Sequence, residues 1–164
     1  MREVSVEESM KPKFVIGFRR ITNNTNERTF VNSLIAKSGF GDNTFLMFSS
    51  KTAKQIVCLN SLLSSLPFDF VCRQKLAGMN MNFFYVNQFP VLSPDSISND
   101  YQNIITQKQF ELTYTSWDIK PFADDIWKEA DENLKAAIKK QWETNQAATG
   151  GHTFSPPEWC EIDP

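Results

Sequence analysis

Two clusters of guanidinium and carboxamide side chains stand out in this 164-residue chain. One runs from Arg19 and Arg20 through Asn23, Asn24 and Asn26 to Arg28, with Lys37 a little further on. The other holds Arg73, Lys75, Asn80 and Asn82. Guanidinium and amide groups reach bidentately to guanine and adenine edges and to phosphates. Lys and Arg on phosphates set the register of a protein on nucleic acid, and base-edge contacts then discriminate by about 1–3 kcal/mol each. Each cluster also has a plainer reading. Asn and Thr favour turns because their side chains hydrogen-bond the local backbone. Arg73 and Lys75 fall in the last turn of an expected helix, where cations meet its dipole.

Residues for covalent or hydrolytic chemistry are not arranged for it. The chain has no Gly-rich phosphate loop, no GxSxG, no HExxH and no Ser/His/Asp set, and its single histidine, His152, lies in a Gly/Pro-rich tail. Cys58, Cys72 and Cys160 lack CxxC spacing, so no zinc site is expected and reduced thiols in a cytosolic setting are. Cys58 and Cys72 sit in apolar helical patterns and read as small core residues. Asp124, Asp125, Asp131 and Glu132 fit a solvated helix face better than a metal site, and no nuclease-like carboxylate/lysine cluster is recognisable. The expected catalytic, metal and cofactor residues are none.

The elements that must position the two clusters are apolar runs. Lys13 to Ile21, Arg28 to Lys37, Thr44 to Ser49 and Asn82 to Val86 read as four strands, with the first cluster at the turn between the first two. Ser50 or Thr52 caps a helix carrying Ile56, Leu59, Asn60, Leu62 and Leu63, which Leu66-Pro67 interrupts. A second helix, Phe68 to Leu76, ends at Ala77-Gly78 and leads into the second cluster. A linker turns helical near Tyr101–Gln107, and Phe110–Thr115 fits either an extended run or the end of that helix. Pro121 to Gln146 reads as one long amphipathic helix, acidic in its N-terminal half and basic in its C-terminal half. The expected class is α+β: a small, mostly antiparallel sheet of about four strands with a packed broken helix, then the long helix and an irregular tail. The expected divisions are a leader at 1–12, an α+β recognition domain at 13–94, and a linker, helix and extension at 95–164.

Charge is divided unevenly along the chain. Residues 11–80 hold ten Lys/Arg against three acids, a balance of +7. Residues 81–164 hold six Lys against thirteen acids, a balance of −7. Such asymmetry points to a polyanion for the first half or to the two halves docking on each other. Fourteen Phe and 41% hydrophobic residues suffice for a packed core. No apolar run approaches 20 residues and the N-terminus has no apolar signal core, so neither a membrane span nor a secretion signal is expected.

The blocks RRITNNTNERTFVNSLIAKSG, CLNSLLSSLPFDFVCRQKLAGMNMNFFYVNQFPVL and ELTYTSWDIKPFADDIWKEADENLKAAIKKQWETNQAATGGHTFSPPEWCEI carry a family resemblance that covers about residues 11–162. In their joint order they resemble the C-terminal region of large bacterial restriction–modification N6-adenine DNA methyltransferases of the type IIG and phage-defence (BREX-like) kind. Within them LNSLL, FDFV, RQK, NMNFF and FPVL also echo the target-recognition domain of Taq-type methylases and of type I specificity subunits. The resemblance implies a fragment that recognises double-stranded DNA in the bacterial cytoplasm. It implies an upstream domain of the same parent chain that binds S-adenosylmethionine and carries an Asn-Pro-Pro-aromatic motif, with or without an endonuclease domain. Pro156-Pro157 lacks the preceding Asn and does not match that motif, so methylation is not expected of this chain. The contrasting expectation is a protein-interaction or dimerisation module using the long helix with Trp127 and Trp142.

Overall fold

Alternation of apolar residues builds a three-stranded antiparallel sheet in the computed structural model, which describes residues 12–148. Strand β1 (Phe14–Arg19) lies in the centre, between β2 (Asn32–Ala36) and β3 (Thr44–Met47). Phe14, Ile16 and Phe18 point from β1 into the core. On the opposite face Gly17 leaves room for a neighbour: an added Cβ would come within 2.5 Å of the Ile35 Cδ1 atom. The α+β class is as expected. The expected fourth strand is instead a helical turn, α3 (Phe83–Val86). Asn82 sets it by accepting the Tyr85 N–H with its side chain at 3.3 Å, and Phe83 anchors it against Phe18 and Phe45. The first two strands are also shorter than expected, because residues 20–31 form a tethered loop.

Helix α1 (Ala53–Leu63) opens on a reciprocal cap. Thr52 Oγ1 accepts the Gln55 N–H and Gln55 Oε1 accepts the Thr52 N–H. The Glu129 carboxylate also accepts the Ala53 and Lys54 N–H groups at 2.8 and 3.1 Å, which joins that helix start to a segment late in the chain. Helix α2 (Leu66–Lys75) begins at Ser65 with Pro67 in its first turn. Helix α4 spans Asn99–Thr113, so Phe110 ends a helix and does not start a strand.

The expected single long helix is two. Helix α5 covers Lys120–Glu129 and α6 covers Glu132–Ala148. Ala130 turns extended at φ −69°, ψ 129°, and the Asp131 carboxylate accepts the Leu134 N–H at 2.8 Å to restart the ladder. Amphipathic periodicity carries across the break, which is why the sequence reads as continuous.

Cross-helix pairs from Lys54 to Asn103, Asn60 to Gln109, Gln107 to Gln141 and Glu111 to Asn145 set α1, α4 and α6 side by side in one direction. One core runs from β1 through α1 and α2 to α5 and α6. Phe14 meets Phe122 edge-on at 5.2 Å, which ties the sheet to α5. The Lys13 N–H donates to the Asp125 carboxylate at the same junction. Burial pushes that carboxyl above the usual range, and the hydrogen bond from Lys13 works against the shift. Trp127 and Trp142 are half-buried against this core, with Lys135 and Lys139 over the Trp127 ring. Among the described residues no single helix is long and apolar enough to cross a membrane. His152, Cys160, Pro156 and Pro157 lie outside the described residues.

Candidate nucleic-acid interface

The two amide-rich loops meet at one end of the sheet. Ile21 and Asn80 form an antiparallel bridge. On either side of it the Thr22 N–H donates to Met79 O at 3.0 Å and the Met81 N–H donates to Arg20 O at 2.7 Å. Met81 is fully buried and pins the second loop, while Asn80 beside it is exposed. Segments about sixty residues apart thus share one edge.

The first loop is built from its own polar residues. Thr22 is buried and its hydroxyl donates to Thr29 O at 2.7 Å. Asn23 Oδ1 accepts the Thr25 N–H at 3.1 Å. In the amide orientation that satisfies both of its ends, Asn26 Oδ1 accepts from Arg19 at 3.2 Å and from the Asn23 N–H at 3.1 Å. Asn24 is exposed and makes none of these bonds.

The basic residues divide. Arg19 closes β1 on the outward face, exposed, with Asn26 beside it. Arg20 turns towards β3, 3.3 Å from the exposed Asp42 carboxylate and 5.9 Å from the Phe45 ring centre. Phe45 stacks on Phe83 at 5.4 Å, and Phe83 meets Phe18 edge-on at 5.3 Å. The Arg20 guanidinium therefore caps an aromatic column rooted in the core. Lys75 is exposed at the end of α2, where the second loop departs.

Arg28 and Arg73 serve a different centre. Asp69 is buried, and its Oδ1 accepts the Thr29 and Phe30 N–H groups at 2.8 Å each. Arg73 lies 3.3 Å from Asp69 Oδ2 and Arg28 Nε lies 3.7 Å from Oδ1. Arg73 also donates to Asn26 O and Glu27 O at 2.9 and 2.8 Å, and Arg28 donates to Ser64 O. The two arginines clamp the first loop onto α1 and α2, about two-thirds buried as they do so. The role of Asp69 was not singled out from the sequence. Its signal is there, as one of three acids in residues 11–80 and the one placed in the first turn of a helix.

Two expected contact residues stand apart from the shared edge. The Lys37 N–H donates to Lys13 O at 3.3 Å, at the far end of the sheet. Six strand residues separate it from Arg19, a distance on the order of 20 Å. Asn82 is committed to capping α3. The edge itself carries Arg19, Arg20, Asn23, Asn24, Asn26 and Asn80, and Lys75 lies at the end of the helix that leads into it. Among the described residues no group of three or more His, Cys, Asp or Glu side chains could hold a metal ion. No family model, no curated protein and no solved structure matches this chain.

Proposed function

We propose that this chain is a DNA-recognition module, the target-reading portion of an adenine-specific DNA methyltransferase whose catalytic domain lies elsewhere in the parent chain. The observation that carries the reading is the Ile21–Asn80 bridge, which makes one edge of two separate loops. Arg19 projects from that edge as an exposed cation suited to phosphates, with Lys75 exposed at the end of α2, and Asn24 and Asn80 stand there as exposed amides suited to base edges. Arg28 and Arg73 act through Asp69 as the scaffold of the reading loop. The excess positive charge of residues 11–80 supports the same reading.

In the parent enzyme the upstream domain would bind S-adenosylmethionine and transfer the methyl group. This chain would fix which duplex sequence reaches it. A mobility-shift titration of the chain on the parent's methylation site and on a scrambled duplex, repeated over salt, tests the proposal. Arg19→Ala should weaken binding and reduce the magnitude of the log K against log salt slope by about 1. Absence of binding to either duplex at low salt overturns it.

A protein-interaction reading rests on a separate surface. Tyr101, Ile104 and Leu112 are 66%, 54% and 72% exposed along α4. Their helical spacing makes an apolar stripe of the kind that marks contact sites. A complex with the upstream domain that Leu112→Lys breaks, and that is indifferent to DNA, would favour this second reading.

A further inference from the structure

The sheet ends on an unguarded edge. The Arg20 N–H donates to Asn43 O at 2.8 Å, and Phe18 pairs with Phe45 and Ile16 with Met47. In an antiparallel ladder this alternation turns the backbone groups of Asn43, Phe45 and Met47 towards β1, and those of Thr44, Leu46 and Phe48 outward. The Thr44 N–H is taken by Gly41 O at 3.1 Å. The Thr44 carbonyl, both Leu46 groups and the Phe48 N–H are left along the outer edge with no partner among the described residues. Strand β2, at the other edge of the sheet, packs against α1 and α5.

Exposed edges in monomers are normally blunted by charge, proline or a bulge. Residues 44–48, TFLMF, have no charge and no proline. Phe48 is 71% exposed where the strand runs out, and Phe83, stacked on Phe45, is 40% exposed.

We propose that β3 pairs with β3 of a second copy of this chain, antiparallel across a two-fold axis at Leu46, so that the two sheets become one of six strands. The edge is complementary to a second copy of itself. It offers an acceptor at Thr44, a donor and an acceptor at Leu46 and a donor at Phe48, in mirror order about Leu46. Leu46 exchanges both bonds with its counterpart, and the Thr44 carbonyl accepts from the counterpart of the Phe48 N–H. Such an interface is isologous. The strand is neutral, so two copies meet there without like-charge repulsion. Phe48 and Phe83 together expose on the order of 200 Å² beside the strand. That is roughly a quarter of what one partner brings to an interface of standard size, which together with four backbone hydrogen bonds makes a weak, reversible association.

The inference is independent of the DNA reading, and its experiment contains no DNA. Sedimentation equilibrium of the full chain should give a monomer–dimer equilibrium in the micromolar range. Leu46→Lys and Phe48→Lys should each weaken it at least tenfold, with circular dichroism unchanged. In the unaltered chain, amide exchange at Leu46 and Phe48 should slow as protein concentration rises, a readout that does not depend on the variants folding. A monomer throughout the micromolar and submillimolar range overturns the proposal. So does a dimer that survives both substitutions, or one broken by Leu112→Lys while Leu46 exchange stays independent of concentration.

Discussion

Asp69 decides what the arginines around it can do. A buried carboxylate is tolerated only when its charge is paired and its oxygens are hydrogen-bonded, and here two backbone N–H groups and two guanidiniums meet that need. Asp69→Ala orphans the Thr29 and Phe30 N–H groups and leaves two part-buried cations unpaired. Urea denaturation should show a loss of about 3–5 kcal/mol. Arg19→Ala, on an exposed side chain, should change stability by less than about 0.5 kcal/mol on the same assay. The residue types were legible from the sequence, but their allegiance was not. Arg28 and Arg20 both look like free cations in a turn, and only the through-space position of Asp69 and Asp42 separates scaffold from contact. The buried thiols give a further check. Burial pushes Cys58 up to about 11 and Cys72 up to about 12 from a usual value of 9.0. The folded state therefore holds its thiol protons where the unfolded chain has lost them. The thiols' contribution to stability is constant below pH 9 and declines from there through about pH 11–12, which thermal melts across that range would record. Alkylation of both thiols at neutral pH should track unfolding.

At the scale of elements, local signals predicted existence better than boundaries. Helix α1 was legible from Thr52 and its apolar spacing because cap and periodicity agree. The segment 82–86 was not, because FFYV has high strand propensity and a single Asn cap with tertiary packing overrides it. The break at Ala130 was hidden for a related reason: two helices that bury the same face keep one periodicity. Glu129 is the joint of this region, since its carboxylate closes the start of α1 from the end of α5. Glu129→Ala should cost about 1 kcal/mol, measured as a lower urea midpoint. Amide exchange at Ala53 and Lys54 should accelerate more than exchange in α6.

For the whole molecule, charge asymmetry points to a polyanion partner or to docking of the two halves, and the fold shows the halves packed on each other. The helices of residues 99–148 pack on α1 and the sheet, while the loop edge at Arg19 and Asn80 stays open. The union of the two loops was not legible, because nothing local links Ile21 to Asn80. The most direct test of the account is equilibrium DNA binding by the unaltered chain, Arg19→Ala and Lys37→Ala, over a series of salt concentrations. The account predicts binding that weakens steeply with salt, a slope shallower by about 1 for Arg19→Ala, and no change for Lys37→Ala, which stands at the far end of the sheet. Equal loss in both variants, or no binding by the unaltered chain at low salt, would contradict it.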